Sequence, residues 1–328
     1  MRRRALFASV TVAALSPCAG LAPRGAVAQV PQRLYKVGVL IDGSAPHPLP
    51  AALREKLQKR GYVEGGTINF DVRFAEGKQA RAAALAADLA SSNVDVIVAH
   101  FTPSVRAAMN ATRTIPIIMA PAGAPVEIGL VSNLNRPSGN VTGVTNMAAE
   151  LGGRRLQLLK DMIPSLGRVA VLASSQDPFT RPFLSYMQEA ATSGGLQLDP
   201  VAVAGPGEFE AAFAAFTDRR AGATMIQGVF NSNRAAILDI AARHRMPTMW
   251  FDREAVSAGG LVSLSANTGD IFERVAVMVD KVLKGAKPAD LPVEQPSLFE
   301  LVINLKAARS LGLALPQSVQ VQADEVIE

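Results

Sequence analysis

Cysteine is almost missing: the 328 residues hold one, Cys18, ahead of the point where the mature chain is expected to begin. A disulfide framework and a catalytic thiol are thereby excluded. Histidine is nearly as scarce. His47, His100 and His244 share no H-x-x-x-H or H-E-x-x-H spacing, so no metal site is expected. Neither a G-x-S-x-G elbow nor a phosphate-cradling G-x-x-x-x-G-K-S/T loop occurs. With no reactive constellation and no cofactor loop, catalytic residues and cofactors are both expected to be none. Long apolar runs are lacking too, and nothing reaches the roughly 20 residues that a membrane helix needs. An excess of charge of one sign disappears once residues 1–28 are set aside. Their four arginines removed, 29 basic residues face 28 acidic ones. No basic stripe remains for nucleic acid, which is excluded as a partner.

What the N-terminus does have is a leader pattern. Arg2-Arg3-Arg4 is a positive n-region, Ala5 to Leu15 an apolar stretch, and Ala26-Val27-Ala28 a small-x-small cleavage site before Gln29. Pro17 before Cys18 argues against a lipid-anchored leader. The reading is a signal peptide over 1–28 and an exported, periplasmic mature chain. Export without cysteine is workable for a chain with 49% hydrophobic residues, because a core of that size needs no covalent staple.

After the leader, short β-branched runs alternate with Ala/Leu-rich stretches at helical spacing. Tyr35 to Ile41 and Thr67 to Phe74 read as strands, as do Val94 to Val98 and Ile115 to Ala120. Helices are expected over Ala51 to Arg60, over Gln79 to Ser91 and from Pro103 onward. Thr102 stands where an N-cap belongs, with Pro103 at the first helical position. The third strand thus delivers an open helix N-terminus, suited to a carboxylate, to the edge of a sheet. Gly129 to Thr145 interrupts the rhythm, with a turn at Pro137-Ser138-Gly139-Asn140. From Glu150 the alternation restarts and runs to a strand at Gly260 to Ser265. The expected fold is α/β, two doubly wound parallel-sheet lobes joined by a hinge. Residues 29–145 plus 270–328 are assigned to the first lobe and 146–269 to the second. In that scheme the chain crosses back after the Pro-rich segment Lys287 to Pro296, and the strand Phe299 to Ile303 completes the first lobe.

Ligands of open α/β sheets lie beyond the carboxyl ends of the strands. That rule nominates Asp42 and Ser44 after the first strand, His100, Phe101 and Thr102 after the third, and Pro121 and Ala122 after the fourth. From the second lobe it nominates Ser174, Gln176, Phe230, Asn231, Trp250 and Asp252, with Asn267 after the last strand. Trp250, the only tryptophan, has either a core or a ligand-stacking role. Asp252 either caps the next helix or holds a ligand amine.

Several segments follow one family's pattern in order: Gly61-Tyr62-Val63-Glu64-Gly65, Arg136-Pro137-Ser138-Gly139-Asn140-Val141-Thr142-Gly143, Glu150-Leu151-Gly152-Gly153-Arg154-Arg155-Leu156, Ala241-Ala242-Arg243-His244-Arg245-Met246-Pro247 and the run from Asp280 to Pro296. The closing Phe299 to Lys306 and Ala323 to Glu328 fit as well. From Tyr35 onward the chain resembles the extracytoplasmic solute-binding proteins of ABC transporters, tryptophan/tyrosine type. The resemblance implies a type I periplasmic-binding fold closing over one small anionic or zwitterionic ligand, an amino acid or an aromatic or organic acid. It implies that Ser44 and Thr102 hold the ligand carboxylate. It further implies ABC permease subunits as partners, a monomeric chain and no enzyme activity. The loops Gln227 to Asn231 and Trp250 to Asp252 depart from the family's pattern, so ligand identity does not carry over. A periplasmic ligand sensor acting on a separate receptor is the alternative of another class, and a secreted α/β enzyme a third.

Overall fold

The alternation in the sequence becomes two sheets with helices on both faces. The computed structural model describes residues 33–328. The expected leader, with Cys18 and the cleavage site, lies outside the described residues. The chain begins β1 (Tyr35–Ile41), α1 (Pro48–Gln58), β2 (Ile68–Phe74), α2 (Gln79–Ser91), β3 (Val96–His100), α3 (Phe101–Ala111), β4 (Ile117–Ala122) and β5 (Val141–Thr145). There follow α4 (Gly152–Met162), β6 (Arg168–Ser174), α5 (Thr180–Ser193), β7 (Gln197–Val203), α6 (Phe209–Asp218), β8 (Ala223–Ile226), α7 (Arg234–Arg243), β9 (Thr248–Trp250), α8 (Arg253–Ser257) and β10 (Val262–Ala266). The chain ends with α9 (Thr268–Leu283), β11 (Phe299–Asn304), α10 (Leu305–Ser310), α11 (Gln317–Gln320) and β12 (Glu325–Ile327).

The first sheet is parallel throughout, in the order β2-β1-β3-β4-β5. One face packs on α1 and α9, with Leu49, Leu53 and Leu57 meeting Ile271, Val275 and Val279. The other packs on α2 and α3 through Ala82, Ala86, Leu89, Val105 and Ala108. Small residues on these helices let them lie close to the sheet. Covered on both faces, the strands read as continuous apolar runs rather than alternating ones.

The second sheet runs β12-β11-β10-β9-β8-β6-β7. Helices α4 and α5 cover one face through Leu156, Leu159, Phe183 and Met187. On the other face α6 and α7 surround Phe213, Phe216, Ile237 and Trp250. The chain passes between the lobes three times: from Thr145 to α4, from Ala266 to α9, and from the Pro-rich segment to β11.

The third passage differs from the assignment of 270–328 to the first lobe. Helix α9 does pack there, and Glu294 bridges to Val144 at the β5 edge. Pro292 and Pro296 on either side carry no N–H, so the ladder goes no further. β11 instead pairs antiparallel with β10, Val262 opposite Ile303 through Ala266 opposite Phe299. The last residues therefore close the second sheet.

Two helix starts also come earlier than the sequence suggests. α1 begins at Pro48, whose missing N–H is harmless in a first turn. His47 becomes its N-cap, with Nδ1 accepting from the Leu49 N–H at 3.3 Å. α3 begins at Phe101 with His100 in the cap position, so Thr102 is inside the first turn and is not the cap. Phe101 adopts φ +65°, a left-handed backbone that turns β3 straight into α3 without a loop. A bulky residue in that region is strained, and such strain is typical of binding loops.

Candidate functional site

The carboxyl ends of β1, β3 and β4 face those of β6, β8 and β9 across a cleft, and a cavity of ≈ 400 Å³ lies between them. The lobes touch around it. Ser44 N–H donates to Ser232 Oγ at 3.4 Å, and Tyr186 Oη donates to Glu127 Oε1 at 3.1 Å. The tip of Phe101 comes close to Gly228, and Gly123 lies directly against the ring of Phe179.

Of the residues nominated from sequence, Ser44, His100, Phe101, Thr102, Pro121, Asn231 and Asp252 line the cavity. The others do not. Trp250 is 0% exposed and belongs to the core under α6 and α7. Phe230 joins the same core, edge-on to Phe209 at 5.1 Å between centroids. Ser174 is buried, its N–H donating to Gln227 Oε1 at 2.7 Å, and Gln176 faces solvent. Asn267 caps α9, accepting from the Asp270 N–H at 3.0 Å. Asp42 and Ala122 lie buried behind the wall residues Gly43 and Pro121.

Side-chain parity explains the displacement of Trp250. Successive residues leaving a strand point to opposite faces. Trp250 points into the helix-covered core, so the cavity receives Phe251 and Asp252. In the 3₁₀ turn Gly228–Asn233 after β8, Phe230 turns into the core and Asn231 lines the cavity. The nominations also passed over His47, Arg155, Asp177, Phe179 and Gln227, all on the wall. His47 precedes the helix expected from Ala51, and Asp177 and Phe179 lie just past the strand-end residues Ser174 and Gln176. Arg155 did leave a signal: it sits on the buried stripe of α4 with Leu156, Leu159 and Met162, where a charged residue is unusual.

On the first lobe the His47 and His100 rings meet edge-on at 4.4 Å, and His100 lies 4.0 Å from Phe101. Burial pushes His47 down to about 4. His100 is held well below the usual imidazole value by burial and by the charge of His47. Both imidazoles are therefore neutral at pH 7. Burial, with the charge of Asp177 adding, raises Asp42 to about 7. Asp177 is raised to about 6 by burial, opposed by the Phe179 N–H, and it accepts from Gln227 Nε2 at 2.9 Å. Asp252 is raised to about 6 by burial, offset by the Ala255 N–H.

Three buried polar atoms among these residues lack a protein partner: His100 Nδ1 on the first lobe, and Asn231 Oδ1 and Asp252 Oδ2 on the second. Asp252 both caps and keeps a free oxygen, since Oδ1 accepts from Ala255 N–H at 2.7 Å. Buried polar atoms left unpaired are rare in native proteins and mark places where a further group belongs. Nothing in the constellation pairs a nucleophile with a base. Among the described residues no group of three or more His, Cys, Asp or Glu is placed to hold a metal ion, and no helix is long and apolar enough to cross a membrane.

The model of the ABC transporter substrate binding protein family matches residues 36–327. The chain belongs to that family. A tyrosine-binding protein of Clostridioides difficile is 24% identical over 273 residues, 82% of this chain and 79% of that protein. Among solved structures, an ABC domain from Streptococcus pneumonia in complex with L-Trp superposes with a TM-score of 0.83. It is 29% identical, over 89% of this chain and 99% of that one. A conserved domain protein from Vibrio cholerae superposes with a TM-score of 0.82 at 25% identity, over 90% of this chain and 99% of that one. The fold of this substrate-binding protein is the type I periplasmic-binding fold. The relatives' descriptions are those of binding proteins, a substrate-binding family and a tyrosine-binding protein.

Proposed function

We propose that the protein is the extracytoplasmic, monomeric solute-binding component of an ABC importer, that it captures a small anionic or zwitterionic solute between its lobes, and that it delivers the solute unaltered to membrane permease subunits. An amino acid is the favoured solute. The observation that carries this reading is the cavity with unpartnered polar atoms from both lobes. Asn231 Oδ1 and Asp252 Oδ2 are acceptors without a donor, as an ammonium group requires. The aromatic and aliphatic remainder of the wall suits the body of a small organic solute. The tyrosine- and tryptophan-binding relatives support the same solute class. The N-terminal leader supports export. Contacts from both lobes make the closed form the tighter binder, and the solute shifts the population toward it by that difference in affinity.

A thermal-shift screen of ligand-free, refolded protein against L-amino acids and small carboxylates tests the reading. A true ligand at 100 times its Kd should stabilise the fold by about 2.7 kcal/mol. No shift from any amino acid would remove that solute class. Ser44 and Thr102 are proposed contacts on the first-lobe wall. Thr102→Ala is expected to weaken the best ligand roughly fivefold, the value of one ordinary hydrogen bond, with Tm unchanged. Unaltered affinity in the variant would reject Thr102 as a contact.

A further inference from the structure

Arg155 lines the root of the cavity, and its residue is only 1% exposed. Its head is held in place. Nε donates to Leu264 O at 2.8 Å and Nη1 to Ala148 O at 2.7 Å, and the guanidinium carbon lies 3.9 Å from the centroid of the Phe251 ring. Ala148 belongs to the first passage between the lobes and Leu264 to the middle of β10, so the plane of the guanidinium is fixed between that passage and the second sheet. One edge stays open. Nη2 has no protein acceptor among the described residues, and no carboxylate there forms an ion pair with the side chain. Of the acids on the cavity wall, Asp177 is held by Gln227 and Phe179, Asp252 by Ala255 through one oxygen only, and exposed Glu254 forms no ion pair with Arg155.

A buried guanidinium with an open edge and no directly paired carboxylate, Glu150 acting on it only as a nearby charge, is costly, and leaving that edge unfilled is exceptional unless something charged arrives to complete it. We propose that Arg155 reads the charge of the solute: an anionic group, a carboxylate for an amino acid, docks on the open edge formed by Nη2 and the second Nη1 hydrogen. The inference rests on the proposed solute-binding role of the cavity and goes beyond it. It shifts the negative end of the ligand from the start of α3 to the root of the second lobe. Asn231 and Asp252 are then left for the cationic end. A planar fork fixed by two carbonyls and a ring is preorganised for a planar carboxylate. A neutral polyol or sugar would leave the charge uncompensated, so the cleft discriminates against such solutes.

Matched pairs of acid and amide test this by calorimetry on refolded, ligand-free protein: L-tryptophan with L-tryptophanamide, L-tyrosine with L-tyrosinamide, L-leucine with L-leucinamide. In the wild type the acid of any binding pair is expected to bind at least roughly 100-fold tighter than its amide. Arg155→Gln, which keeps a donor for one carbonyl, should narrow that ratio to below about tenfold, and Arg155→Lys, which keeps the charge but loses the fork, should narrow it less. Equal binding of acid and amide by the wild type, a result that needs no variant, overturns the proposal. So does an unchanged ratio in a folded Arg155→Gln protein. If no amino acid binds, the amino-acid reading falls by itself, and benzoate, phenylacetate and succinate, each against its amide, decide the charge inference. Failure of every carboxylate overturns it.

Discussion

Gly123→Val is expected to give a protein that folds but holds its solute roughly 10- to 100-fold more weakly, the effect of about 1–3 kcal/mol of overpacking in a contact. Gly123 follows β4 in the first lobe, and a Cβ there would sit 2.6 Å from the ring of Phe179 in the second. That ring cannot simply swing away. Phe179 is 6% exposed and packs on Phe183 at 5.5 Å. The added atoms can be relieved most cheaply by separating the lobes, which leaves each core untouched. Solution scattering should then show a larger radius for the variant with ligand present, and calorimetry the loss of affinity. A variant that binds as tightly as the wild type would mean that the loop after β4 does not press on α5 in the bound form.

Asp42→Asn is expected to stabilise the protein at pH 8 by roughly 2–4 kcal/mol and hardly at all at pH 4. The carboxyl is raised to about 7 by burial and by the charge of Asp177. Between its ordinary value of 3.8 and that raised value the folded chain binds more protons at this group than the unfolded one does. Stability therefore falls as pH rises through the window, by up to about 1.4 kcal/mol per pH unit, and the cost is complete above pH 7. Asparagine removes the titration. His47 and His100, held neutral by burial, titrate in the opposite sense. They do so in both proteins, so the difference between variant and wild type isolates Asp42. Denaturant unfolding at pH 4 and pH 8 is the measurement; an equal difference at the two pH values would contradict the assignment.

The lobes were legible in the sequence because their signals are local. A strand buried on both faces, such as Val37 to Ile41 or Val96 to Ala99, is a run of apolar residues whatever it pairs with. The Ala-rich stripes of α2 and α3 follow from the same local spacing. Pairing across long separations left no such trace. Phe299 to Asn304 is a good strand for either sheet, and only the prolines before it and the free edge of β10 decide between them. Within the site, the loops were legible and the side chains were not. A strand-end rule selects a loop, but parity selects Phe251 over Trp250, and the winding of a 3₁₀ turn selects Asn231 over Phe230. Arg155 lies on a helix, outside the reach of any strand-end rule. Its mark was chemical: a cation placed where the helix pattern demands an apolar residue.

The antiparallel return of β11 has a practical consequence. β1 opens the chain in the first sheet, while β12 closes it at the far edge of the second. A donor fluorophore ahead of Tyr35 and an acceptor after Ile327 would thus ride on different bodies. Their energy transfer would follow the jaw directly, turning the protein into a gauge of its own solute.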